Sequence, residues 1–357
     1  MPPISVMIKP ASSSCNLRCR YCFYHDVSSL RHDPSRGRMS YELLENILRK
    51  MFDFSKGQLV SLSFQGGEPL LAGKDFFRKA SELIKKYNVY KSPIQIGIQT
   101  NGTLIDEEWC EIFHDNRFLV GLSLDGDKIA NSNRIDANGE EVFDRVLNAA
   151  KMLQDANVTF NILSVLTKGV ANRIDKVYEF YKANGLKNLQ FIPCLKPLDG
   201  TVTEDFYLTS KDYENFLTKG FYLYTQDYIK GNYVSIRQFD NFVHLAHFKR
   251  AEQCGMNGHC THQYVIEADG EVYPCDFYCL DEYSLGFIQN QNFEDLEKNP
   301  VAINFIKESC SVEEKCKSCN FYALCKGGCK REKLDVDKCV AYKRFFPFAI
   351  PYLKRMS

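Results

Sequence analysis

The chain has 357 residues, room for two domains, and 45% of them are hydrophobic, ample for packed cores. Lys+Arg and Asp+Glu number 45 each, so no global field favours nucleic acid or an anionic membrane. The first residues, Met1-Pro2-Pro3-Ile4-Ser5-Val6-Met7-Ile8-Lys9, carry no charged and long apolar signal regions, and the late apolar stretch Phe345 to Leu353 is short and carries Pro347 and Pro351. No signal peptide or membrane span is therefore expected, and 15 cysteines in such a chain argue for a reducing cytoplasm, where clustered thiols bind metals more often than they pair.

Taken in order, a first strand is expected at Ser5–Ile8. It is followed by Cys15-Asn16-Leu17-Arg18-Cys19-Arg20-Tyr21-Cys22, three cysteines at C-x3-C-x2-C with Tyr21 before the third. Three adjacent thiolates are soft, electron-rich ligands suited to an iron–sulfur cluster. Three ligands for four irons leave one iron open to a substrate, as a catalytic metal site keeps a position free. The alternatives are three buried cysteines or a partial zinc site.

Leu43, Ile47 and Met51 then repeat at i+4 behind Ser40, a candidate N-cap. Strand Val60–Phe64 runs into Gln65-Gly66-Gly67-Glu68-Pro69, where two glycines allow close backbone approach and a carboxylate can accept from an ammonium. An ordinary turn would read the same way. Further strands are expected at Ile94–Gln99, Phe118–Leu124, Thr159–Val165 and Leu189–Ile192. Helical patterns at Phe76–Tyr87, Asp106–His114, Val142–Leu153 and Ile174–Tyr181 alternate with them. The alternation predicts α/β architecture, a parallel sheet with helical crossovers, whose chemistry gathers at the C-terminal strand ends. Those ends carry Asn101, Ser123 (with Arg134 shortly after) and Cys194-Leu195. Each of these could equally be a cap, turn or ion-pair residue.

Asp205–Lys230 is aromatic and helix-like, reading as core and inter-domain packing rather than a peptide groove. A domain junction is expected near residue 235, dividing 1-235 from 236-357. Beyond it, Cys254 and Cys260 precede C-x9-G-x4-C, with Asp269-Gly270 as a hairpin turn and Cys275 at its end. Cys316-x2-Cys319-x5-Cys325-x3-Cys329 and finally Cys339 follow. These eight cysteines suffice for two four-ligand clusters, and a fully ligated cluster passes electrons rather than binding substrate. C-x2-C also occurs in zinc ribbons, so spacing alone leaves the pairing open. Asp276, directly after Cys275, would be held and partly desolvated, which suits a general base; an N-cap or surface acid is the plainer reading.

The triad and the Gly66–Pro69 turn resemble the radical SAM superfamily, and the C-terminal cysteine order resembles its SPASM extension. Local strings across nearly the whole chain resemble anaerobic sulfatase-maturating enzymes. They include Tyr273-Pro274-Cys275-Asp276-Phe277-Tyr278, Cys254-Gly255-Met256-Asn257-Gly258 and Leu324-Cys325-Lys326-Gly327-Gly328-Cys329. The departures are small: nine residues before Cys339, and His262 where relatives can carry a further cysteine.

The resemblance implies a partial (β/α)6 barrel with a C-terminal cysteine-rich domain, three 4Fe-4S clusters and S-adenosyl-L-methionine. Cys15, Cys19 and Cys22 would hold the first cluster. Cys254, Cys260, Cys275 and Cys329 would hold the second, and Cys316, Cys319, Cys325 and Cys339 the third. Tyr21, Gly66, Gly67, Glu68, Asn101, Ser123, Arg134 and Leu195 would surround the cofactor, with Tyr24 and Gln65 on the peptide and Asp276 as base. The implied reaction takes a hydrogen from Cβ of a cysteine or serine in a sulfatase Cys/Ser-x-Pro-x-Arg segment, giving Cα-formylglycine, with electrons from flavodoxin or ferredoxin. A maturase forming thioether or other crosslinks on a ribosomal peptide would use the same cofactors. A non-enzymatic zinc or cluster module would have no use for an open iron.

Overall fold

The computed structural model describes residues 3–202, 204–334 and 337–356. Its strands are β1 Ile4–Ile8, β2 Val60–Phe64, β3 Ile94–Thr100, β4 Phe118–Ser123, β5 Phe160–Leu166, β6 Asn188–Pro193, β7 Ser235–Ile236, β8 Tyr264–Ile266 and β9 Val272–Tyr273. The chain folds as two compact units. One comprises Met1–Ser123, Arg134–Phe160 and His262–Phe305; the other comprises Leu124–Asn133, Asn161–Thr261 and Ile306–Ser357. The sheet is open, not closed into a barrel.

In the first unit the strand order is β4-β3-β2-β1-β8-β9. Alternate residues of β1 and β2 are buried: Ile4, Val6 and Ile8, then Val60, Leu62 and Phe64. Their register is level, with Ile8 opposite Phe64 and, on the other side, opposite Ile266 of β8. Three parallel strands thus end in a row, and the next residues, Lys9, Gln65 and Glu267, stand side by side. The hairpin β8–β9 turns at Asp269-Gly270, where Gly270 takes φ +93. Its parallel pairing with β1 has no signal in the spacing of either segment.

Crossover helices cover this sheet. Tyr41–Ser55 begins at Ser40, whose Oγ accepts from Leu43 N at 3.1 Å, and it buries Leu43, Leu44, Ile47, Leu48, Met51 and Phe52. Phe64, Phe77, Trp109, Phe113 and Phe118 form an aromatic core, with Phe64–Phe77 centroids 5.1 Å apart and Phe77–Trp109 5.4 Å apart.

In the second unit β5, β6 and β7 pair in parallel. Helix Ser210–Ile229 starts with a capping box between Thr209 and Asp212. Its Tyr213, Phe216, Phe221 and Tyr224 are buried, Phe221 lying 5.4 Å from Phe239 and 5.3 Å from Phe345. This segment is core packing, as its composition indicates, although Tyr222 faces out. Helix Lys338–Leu353 runs through Pro347 and Pro351, and no helix among the described residues is long and apolar enough to cross a membrane.

Candidate active site

The row of strand ends in the first unit carries a buried ionic network. Lys9 Nζ stands 2.6 Å from Asp276 Oδ1, and Gln65 Nε2 donates to Asp276 Oδ2 at 2.7 Å. Lys9 Nζ also lies 3.4 Å from the centroid of the Tyr24 ring. The Tyr24 hydroxyl donates to Glu267 Oε1, and Arg31 Nη1 reaches the same oxygen at 2.8 Å. Arg31 Nε donates to the Cys279 carbonyl.

Lys9 and Glu267 are 0% exposed, Tyr24 3% and Asp276 7%, so these charges meet one another and not water. Burial pulls the Lys9 ammonium towards deprotonation, but Asp276 and its neighbours outweigh it and the group is held well above its usual range. Burial opposes ionisation of Glu267, yet Lys9 and Arg31 hold its carboxyl below the ordinary value. Cys279, wholly buried nearby, is pushed up to about 12 by that burial. Asp276 opens the short turn Asp276–Tyr278, and Phe277 packs edge-on against Phe23 at 5.0 Å.

The three-cysteine loop follows β1 in the same unit. Cys22 stands at the N-cap position of helix Phe23–Ser29, with no capping bond from its side chain, and the loop is pinned by the bridge Leu17–Asp136 and by Arg18 N donating to Ile135 O at 2.7 Å. Cys15 Sγ accepts from Leu17 N at 3.3 Å and from Asn101 Nδ2 at 3.8 Å. Burial pushes the Cys15 thiol up to about 12, and the like charges of Glu68, Cys19 and Cys22 add to the shift, which places the three sulfurs in one neighbourhood. A soft metal site is what turns such thiols into thiolates.

The Gly66-Gly67-Glu68 turn lies directly on this loop. Gly67 N donates to Ser12 O and Glu68 N to Ser14 O, both at 2.8 Å. A Cβ on Gly67 would fall 2.1 Å from Ser14 O; one on Gly66, at φ +123, would meet Ser12 O at 2.9 Å and Lys9 Cβ at 3.2 Å. Glu68 accepts from Leu70 N, Thr100 Oγ1 and Asn101 N, tying the turn to the end of β3. Burial pushes its carboxyl up to about 7 against these three bonds. Ser123 Oγ accepts from Gln99 Nε2 at 2.9 Å, and the Arg134 guanidinium lies 5.5 Å from the Tyr21 ring, both buried.

The second unit brings together two sets of thiols. Cys254 interacts electrostatically with Cys260, and Cys329 with Cys254; a Cβ on Gly255 would stand 2.8 Å from Cys329 Cβ. Cys325 interacts with Cys319, Cys339 and Cys316. Leu195, just beyond β6, is buried in this unit, while Cys275 belongs to the first. None of the 15 cysteines is paired in a disulfide. No group of three or more His, Cys, Asp or Glu among the described residues closes on a single-ion site. A four-iron cube holds its thiolates farther apart than one ion does, so the donor chemistry fits clusters. Of the four cysteines outside the motifs, Cys110, Cys194 and Cys279 are buried and Cys310 is exposed.

Sequence reasoning passed over Lys9, Arg31 and Glu267. Lys9 and Glu267 each end an apolar strand, where a charge reads as a solvated strand terminus. Only the registers of β1 with β2 and β8 reveal that they share a buried row.

Comparison with known proteins places these features. A model of the radical SAM superfamily matches residues 10–181, and one of the SPASM iron–sulfur cluster-binding domain matches residues 239–320, so the chain is a radical SAM protein with a C-terminal SPASM domain. The cysteine-type anaerobic sulfatase-maturating enzyme of Clostridium perfringens (strain 13 / Type A) is 45% identical, over 99% of this chain and 98% of its own. The serine-type anaerobic sulfatase-maturating enzyme of Bacteroides thetaiotaomicron is 30% identical, over 99% and 91%. The chain belongs to the anaerobic sulfatase-maturating enzymes. The solved structure of native anSMEcpe with bound AdoMet and Cp18Cys peptide matches it with a TM-score of 0.94 at 44% identity, covering 99% and 98% of the two chains. Streptococcus suis SuiB bound to precursor peptide SuiA matches at 21% identity and a TM-score of 0.61, a likeness of fold alone.

Proposed function

We propose that this protein oxidises an active-site cysteine of a sulfatase polypeptide, in a Cys-x-Pro-x-Arg segment, to Cα-formylglycine. Identity to a cysteine-type maturating enzyme at 45% over nearly the whole chain favours cysteine over serine, the residue type named for the relative at 30%. When bound, S-adenosylmethionine and the cluster that Cys15, Cys19 and Cys22 would hold would supply the abstraction of hydrogen from the substrate Cβ, and the clusters of the SPASM cysteines would offer a place for the electron left behind.

The chain's own residues supply position and proton transfer. Glu68, buried on the glycine turn beside the cysteine loop, is assigned to the cofactor's ammonium, with Gly66 and Gly67 keeping the backbone close. Tyr21 of the cysteine loop, Asn101 and Ser123 at strand ends, and Arg134 are assigned to the same cofactor, and Leu195 to its adenine. Asp276 accepts the thiol proton, and water then converts the thioaldehyde to the aldehyde. Cys254, Cys260, Cys275 and Cys329 are assigned to one SPASM cluster, and Cys316, Cys319, Cys325 and Cys339 to the other. Residues 1-235 are assigned to the radical SAM domain and 236-357 to SPASM. A flavodoxin or ferredoxin in a reducing cytoplasm would supply the electron.

The observation that carries this reading is the Asp276 carboxylate, nearly buried, next to Cys275 and fixed through both oxygens at the end of β1 and β2. A surface acid would be solvated. Gln65, given a peptide-positioning role above, is assigned to orienting this carboxylate as well, and Tyr24 reaches the peptide only beside its contacts to Lys9 and Glu267. The test is to incubate reduced, iron-loaded protein and S-adenosylmethionine with a Cys-x-Pro-x-Arg peptide. Conversion to the aldehyde mass supports the reading; deoxyadenosine formed with an unmodified or crosslinked peptide overturns it.

A further inference from the structure

Lys9 is the least expected member of this site. Its side chain has no exposed surface, and its ammonium meets Asp276 at 2.6 Å. A buried ammonium is costly unless an anion stands against it. The other buried carboxylate here, Glu267, also attracts Lys9 but is bonded by Arg31 and by the Tyr24 hydroxyl, and Asp276 is the anion in direct contact with the Lys9 ammonium. The approach angles do not make this a hydrogen bond, so the contact is one of charge, backed from the other side by the Tyr24 ring. Gln65 holds the second Asp276 oxygen at 2.7 Å. Lys9 and Gln65 therefore grip one carboxylate from two strands whose register is level, and Gly66 leaves room for the Lys9 stem, its Cβ position lying 3.2 Å from Lys9 Cβ.

We propose that Lys9 is a positioning residue for proton removal: its charge, with the Gln65 amide, holds the Asp276 carboxylate in one orientation and leaves that carboxylate's remaining lone pairs for the substrate thiol. The inference rests on the reading of Asp276 as base. In that step the S–H bond breaks, the proton passes to an Asp276 oxygen, and the bonding pair stays on sulfur as the C=S bond forms. The Cβ hydrogen and the single electron leave by way of the cofactors named above.

The test is a double-mutant cycle on the iron-loaded protein: Lys9→Met, Asp276→Asn and both together, read as Tm and as aldehyde formed per deoxyadenosine. Each single change strands a buried charge and should lower Tm; the double change strands none and should recover most of the loss. Lys9→Met should lower aldehyde per deoxyadenosine by about 10²-fold, the cost of a misplaced group, and should lower it no further once Asp276 is Asn. Additive Tm losses overturn the proposal. So does a ratio within twofold of the unmodified protein in Lys9→Met, or an equal drop in both backgrounds, which would mark Lys9 as a packing residue. If Lys9→Met holds no iron, the double variant still decides: it must load iron and melt above Asp276→Asn, and failure to do so overturns the role. Unmodified protein that makes no aldehyde overturns the functional reading, while the Tm cycle judges the ion pair independently.

Discussion

Glu68 illustrates what a single residue gains from its surroundings. At 1% exposure its carboxyl is pushed up to about 7, from an ordinary 4.5, because burial outweighs three hydrogen-bond donors. Below pH 7 the ligand-free group is therefore largely protonated, and an ammonium ligand, which favours the ionised form, must displace that proton. Affinity for S-adenosylmethionine should fall as pH drops through 7, by up to about tenfold per unit if Glu68 faces the ammonium. Equilibrium binding to iron-loaded protein between pH 6 and 8 measures this, and Glu68→Gln should bind weakly with no such slope. A slope unchanged in Glu68→Gln would assign Glu68 to the turn alone. At Asp276 the corresponding change, Asp276→Asn, should lower formylglycine by ~10²–10⁴-fold while deoxyadenosine per product rises. A parallel time course of both compounds checks it, and equal loss of both would return Asp276 to a capping role.

At the scale of elements, the sheet's parallel strands were largely legible, because apolar runs of β-branched and aromatic residues alternate with i, i+4 patterns such as Leu43, Ile47 and Met51. The cysteine loop and Gly66–Pro69 were legible too, since their residue types have few other uses. What the sequence left hidden was contact between distant segments. β8 joins β1 in parallel, and Arg31, Glu267 and Lys9 meet only through that pairing. Each is an ordinary charged residue by local pattern. The glycine turn offers the sharpest element-level prediction. Gly67→Ala would drive a Cβ to 2.1 Å from Ser14 O, a backbone atom that cannot swing away, so the Ser12–Cys15 segment must shift. A cost of about 1–3 kcal/mol is expected, with lower iron loading at the three-cysteine site. Unchanged Tm and iron content would show that the loop does not depend on this contact.

Across the whole molecule, 11 of the 15 cysteines fall into a loop of three in one unit, two groups in the other, and Cys275 beside Asp276. Cys316→Ala should lower both iron content and Tm, because a cluster held by four thiolates also ties together the short segments that carry them. Changing Cys15, Cys19 and Cys22 together to Ala should instead end deoxyadenosine formation while the remaining iron stays bound.

The central claim is that a hydrogen leaves the substrate Cβ for the cofactor as the aldehyde forms. A Cys-x-Pro-x-Arg peptide deuterated at the cysteine Cβ tests it most directly, with mass analysis of both products after reaction with reduced, iron-loaded protein. Deuterium should appear in the deoxyadenosine, in step with aldehyde formed. Aldehyde produced with no deuterium in deoxyadenosine, or deuterium transferred into a crosslinked peptide product with no aldehyde, would contradict it.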